Sequence, residues 1–120
     1  MRTLIVAGLL CLGCPLIASA QEAVAPNSPL KSFGTTRTPS EFAQCLMPIV
    51  QKDFPRSYSG TRNDGVDLRV VGTNPAGDPA VIAVVQVLNT GRVSSLVLIH
   101  TESPEAKPGR DIIKAARNCS

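Results

Sequence analysis

Several residue types are scarce in this 120-residue chain, and each scarcity removes a class of function. There is no tryptophan, one tyrosine and three phenylalanines, so no aromatic platform exists on which single-stranded nucleic acid could stack. His100 is the only histidine, which excludes a multi-histidine metal cluster. Of four cysteines only Cys11 and Cys14 are closely spaced, so there is no cysteine cluster for zinc, and no phosphate-binding glycine loop is present. The net charge of +3 is far from the density of a dedicated nucleic-acid binder. The only long apolar run, from Leu4 to Ala18, is short and interrupted by Gly13 and Pro15.

What the N-terminus does contain is the grammar of export. Met1-Arg2 gives a charged start, the apolar run follows, and Ala18-Ser19-Ala20 is the small-x-small pattern cut by signal peptidase. Residues 1–20 are therefore expected to be a signal peptide, with no transmembrane segment left after cleavage and a periplasmic or secreted destination. The alternative is a lipoprotein lipidated at Cys14, because Leu12-Gly13-Cys14 resembles the end of a lipobox. Cleavage leaves two cysteines in an oxidising compartment, where only one pairing is open to them. A Cys45–Cys119 disulfide is expected.

Residues 21–37, rich in proline, serine, threonine and small side chains, read as a flexible tether. Residues 38–120 read as one small domain. It opens with Thr38-Pro39-Ser40-Glu41, where a capping box coincides with proline at the first helical position. Phe42, Cys45, Leu46, Ile49 and Val50 then form one apolar stripe at helical spacing. Pro48 falls inside it and should loosen the helix; Pro55 should end it. Residues 56–65 read as loop, with a short edge strand near Tyr58 and a turn signal at Asn63-Asp64-Gly65. Residues 66–70 alternate as a strand.

The centre of the domain is segment 81–101, two β-prone runs around Leu88-Asn89-Thr90-Gly91-Arg92. A turn on Asn89-Thr90-Gly91 pairs Val87 with Val93, Val85 with Ser95, Ala83 with Val97 and Val81 with Ile99. A final helix from Asp111 to about Cys119 carries Ile112, Ala115 or Ala116, and Cys119 on one side. The expected fold is thus α+β, in the order α-β-β-β-α. A three-stranded antiparallel sheet would carry two helices on one face, tied by the disulfide.

Two short helices can cover only one face of such a sheet. The hairpin nevertheless has aliphatics on both: Val81, Ala83, Val85, Val87, Val93, Val97 and Ile99 on one, and Ile82, Val84, Leu88, Leu96 and Leu98 on the other. Ile82, Val84, Leu96 and Leu98 are thereby the candidate partner surface, unless the tether or the 56–65 loop covers it. Arg110, Lys114 and Arg117 make a basic stripe on the last helix and, with Arg56 and Arg62, a candidate anion-binding set. The chemistry-bearing residues read most simply as structural: Ser94 and Ser95 lack a base, and Asp64 and Asp67 flank a turn. His100 beside Glu102 and Glu105 is a lone titratable group at a strand end.

Val85-Gln86-Val87-Leu88-Asn89-Thr90-Gly91-Arg92-Val93-Ser94, followed by Ser103-Pro104 and the helix of residues 111–117, resembles the C-terminal domain of TonB- and TolA-type envelope proteins. The likeness spans residues 84–117; a strand at residues 66–70 ahead of the hairpin departs from it. The resemblance implies a non-enzymatic protein-binding module of the bacterial periplasm. The pattern of signal, tether and stapled α+β unit is also similar to many small exported envelope proteins.

The sequence thus points to an exported, non-enzymatic protein-binding module, of inhibitor, immunity or assembly-accessory type, without cofactor, metal or nucleic acid. Its partner would be another envelope or secreted protein, or a second copy. The alternatives are a binder of anionic envelope material through the basic stripe and a hydrolase-like enzyme using His100 with Glu102.

Overall fold

The computed structural model describes residues 30–91 and 94–120, so the expected signal peptide, Cys14 and most of the expected tether lie outside the described residues. The elements are β1 (Leu30–Thr35), α1 (Pro39–Asp53), β2 (Tyr58–Arg62), β3 (Gly65–Thr73), β4 (Pro79–Gly91), β5 (Ser94–Thr101) and α2 (Gly109–Asn118). The class is α+β as expected, but the sheet has five strands, not three, in the order β1-β5-β4-β3-β2 with every pair antiparallel. Strand β1 lies in the stretch expected to be tether, and β2 in the stretch expected to be mostly loop. Both are edges, so each needs only one laddered neighbour and little apolar content: β1 turns Phe33 inward, and all five β2 residues are exposed.

The helix starts behave as local chemistry dictates. The Thr38 hydroxyl accepts from the Glu41 amide at 3.2 Å, and a Glu41 carboxylate oxygen accepts from the Thr38 amide at 3.0 Å, closing the capping box. Helix α1 runs unbroken through Pro48 and ends when the Phe54 amide donates to Val50 at 2.8 Å. Helix α2 begins two residues before the expected Asp111, at Gly109. There a Cβ would collide with the Ser103 carbonyl, so glycine lets the helix start against the end of β5.

The hairpin register differs from the expected one. Val87 pairs with Val97, Val85 with Ile99, Ala83 with Thr101 and Asn89 with Ser95, and the ladder continues to Gly91 opposite Ser94. Asn89 to Gly91 therefore belong to β4 rather than to a turn. The expected pairing set Ser95 against Val85; the observed one gives Val85 an aliphatic partner in Ile99 and also pairs Leu88 with Leu96. The Asn89 amide also donates to the Asp64 carbonyl at 2.7 Å, which holds this end of β4 on β3. Expected partner Val93 lies outside the described residues.

One face of the sheet is closed. Phe42, Leu46, Leu68, Val70, Val85, Val87, Val97, Ile99, Ala116 and Cys119 are essentially inaccessible and form a single core between sheet and helices. Cys45 on α1 and Cys119 after α2 are joined by the expected disulfide, with Cα atoms 5.8 Å apart. Phe33 closes the β1 side, its ring 6.4 Å from that of Phe42 and beneath the Arg117 guanidinium at 5.1 Å. Since α2 begins beside Thr101 and its far end reaches Phe33, the partner of Val97, it runs antiparallel to β5. No helix among the described residues is long and apolar enough to cross a membrane.

Candidate functional site

The sheet face away from the helices is ordered into rows by the strand registers. One row reads Leu30, His100, Val84, Arg69, Tyr58; the next Ser32, Leu98, Gln86, Asp67, Gly60; the third Gly34, Leu96, Leu88, Gly65, Arg62. Aliphatics gather on β4 and β5 and charges on β3 and β2. Leu30 is 50% exposed, Tyr58 52% and Leu96 36%, high for residues of this size. The third row explains the exposure of Leu96. Its flank on β1 is Gly34, which has no side chain to lean against it. Gly65 at the other end is required by close approach, because a Cβ there would enter the Val87 carbonyl.

Of the four candidate contact residues, the structure brings Val84, Leu96 and Leu98 together and adds Leu88 opposite Leu96. Ile82 departs from the group. It sits where the β3–β4 register shifts beyond Val70, packs against the core, and lies over Gly72, whose hypothetical Cβ would be 2.8 Å from it. It also lines a small cleft with Thr101, Glu102, Pro108 and Gly109.

The basic set is not one site. Arg110, Lys114 and Arg117 are exposed along α2. Arg110 and Lys107 both lie near Asp111, at 3.9 and 3.7 Å, and Arg117 covers Phe33. Arg62 is on β2, the edge strand farthest from β1 in the sheet, where Asp64 and Asp67 hold it at 2.9 and 3.1 Å. The hydrogen bond and charge of Asp67, then the charge of Asp64, push the Arg62 guanidinium above its already high pKa. Those carboxylates thus serve a turn and an ion pair.

The other chemistry-bearing side chains are likewise engaged. The Ser95 hydroxyl, buried, donates to the Arg37 carbonyl at 2.8 Å, which fixes the link from β1 to α1. Ser94 and Thr90 share a hydroxyl contact at 3.1 Å. His100 Nε2 lies 3.2 Å from the amide oxygen of Gln86, its diagonal neighbour on the β4–β5 ladder, while Glu102 at the strand end lines the cleft described above. Every buried side-chain polar atom among the described residues has a partner, and no group of three metal-ligating side chains occurs among them. A cleft between α1 and β2 is lined by Met47, Pro48, Gln51, Ser59, Thr61 and Val66 among others and by no ionisable side chain.

The cleft beside β2 is beyond sequence reasoning, which places a short edge strand near Tyr58 but does not say which helix it faces. Leu88 was within reach of such reasoning, as one of the five aliphatics on the second face. Comparison of the chain with family models, curated proteins and solved structures finds no match to any of them.

Proposed function

We infer that this protein is an exported, non-enzymatic binding module that meets a partner protein through the open sheet face of Val84, Leu88, Leu96 and Leu98. The observation that carries the reading is the exposure of aliphatics in the middle of a sheet, flanked by glycine and bounded by Arg69, Asp67 and Arg62 on one side. An apolar centre with a polar rim is the anatomy of a protein contact. The residues that could have built a reaction site are spent on structural hydrogen bonds instead. The disulfide fits an oxidising compartment.

Capture experiments with the immobilised full chain test this. A partner held at low and at moderate salt, and lost by the Leu96→Asp, Leu98→Asp variant with its thermal unfolding unchanged, is the expected result. Retention only at low salt and indifferent to those substitutions would transfer the function to the α2 stripe of Arg110, Lys114 and Arg117, because exposed charge pairs are screened by salt.

A further inference from the structure

The free edge of β2 is a self-complementary surface, and we propose that two copies of this chain pair there, β2 against β2 and antiparallel about Gly60. The ladder geometry decides which groups are available. The Asn89 amide bonds the Asp64 carbonyl, so Asp64, Val66, Leu68 and Val70 direct their backbone groups to β4. Gly65, Asp67 and Arg69 then direct theirs to β2, where their partners are Arg62, Gly60 and Tyr58. By alternation, Ser59 and Thr61 turn their N–H and C=O groups away from the sheet. These are two donors and two acceptors in the spacing that an added strand requires.

The sequence of this edge suits a second copy better than an arbitrary strand. Antiparallel pairing about Gly60 sets Ser59 opposite Thr61 of the other chain, twice, so all the outward donors and acceptors meet one another. It also sets Tyr58 opposite Arg62 of the other chain, twice, on the open face, a guanidinium beside an exposed aromatic ring. One step beyond the strands, Arg56 of one copy comes to the Asn63-Asp64 turn of its partner, opposite charges meeting at both ends. At the axis two glycines face each other, and a Cβ built on Gly60 meets nothing within 4 Å, so the backbones approach without obstruction. Helix α1 stops short of this edge, leaving all five β2 residues exposed. The strand contains neither proline nor lysine, the usual guards of a free edge. Such a contact is isologous and closes on itself, giving one ten-stranded sheet with the helices of both copies on one face.

The pairing is testable without disturbing the hairpin. In the full chain, Gly60→Cys places two thiols opposite each other at the axis, a non-hydrogen-bonded position whose Cα separation suits a disulfide. Under mild oxidation most of the chain should become a covalent dimer, whereas Ser32→Cys on the opposite edge should not. Sedimentation of the unmodified chain should show mass rising toward two copies as concentration increases. Thr61→Pro, which removes an outward N–H and no bond to β3, should abolish that rise with the circular dichroism spectrum unchanged. Tyr58→Arg, which sets two guanidiniums together, should weaken it at least tenfold. A chain that stays monomeric at millimolar concentration, or a Gly60→Cys thiol that cross-links no faster than the Ser32→Cys control, would overturn the proposal. So would a different protein that pairs with β2 of a monomeric chain.

Discussion

Strands β4 and β5 present two faces that are nearly equal in aliphatic content and opposite in fate. On one, Val85, Val87, Val97 and Ile99 are fully buried beneath α1 and α2. On the other, Val84, Leu88, Leu96 and Leu98 remain partly open, and Leu96 is 36% exposed. Intrinsic hydrophobicity does not separate the two faces. What separates them is that α1 and α2, tied to each other by the disulfide, lie over one face only. The difference teaches that a face is assigned to the core by what the chain can bring over it.

The largest test of that contrast removes the staple. A Cys45→Ala, Cys119→Ala variant loses the cross-link between residues 74 apart, and by the chain-entropy model should unfold more easily by about 4 kcal/mol. Urea denaturation measures it, and a loss near zero would show that the helices hold the inner face without the bond. Next comes a matched pair of truncations. Leu68→Ala in the core should cost roughly 2–5 kcal/mol, with the cavity it leaves adding to the transfer loss. Leu96→Ala on the open face should fall within about 0.5–1 kcal/mol. Equal losses would mean that something covers the open face in solution.

A smaller effect belongs to the start of α1, the helix that covers the core. Thr38→Ala breaks the capping box and should cost about 0.5–2 kcal/mol. The same box makes a signature in pH. The hydrogen bond from the Thr38 amide, then that with the Thr38 side chain, holds the Glu41 carboxyl below its ordinary pKa of 4.5. A depressed folded-state value means that this contribution is fully present above the unfolded value and is lost as pH falls through the folded one. Glu41→Gln should therefore flatten the acid limb of the stability profile below about pH 4.5 and leave the neutral region nearly unchanged. An unaltered acid limb would remove Glu41 from the cap's energetics.

The inner face was legible because strand periodicity is forgiving. The expected and observed registers of β4 on β5 differ by four residues, an even number, so Ala83, Val85, Val87, Val97 and Ile99 stayed on the inner face although their partners changed. The capping box and the cysteine pairing were legible for a different reason: each depends on residues whose chemistry allows few alternatives. Strand β1 was not, and β2 only as a short edge strand near Tyr58. Leu30-Lys31-Ser32-Phe33-Gly34-Thr35 has its two large apolar residues three apart, a helical spacing rather than a strand's, and β2 has only Tyr58. Such edge strands are specified by the neighbour that accepts them, information held some seventy residues away in β5 for β1. Ile82 was misplaced because a register shift interrupts the alternation on which its assignment rested.

The pairing of β1 with β5 has a consequence in time. The first described strand cannot find its neighbour until the last strand has been made, and Cys45 waits still longer for Cys119. Contacts of such sequence separation slow folding, since the loop must close before they form. Until residue 119 is made, the β1 edge of the sheet and the covalent tie between the two helices cannot both be completed, so the chain's first and last segments are joined late.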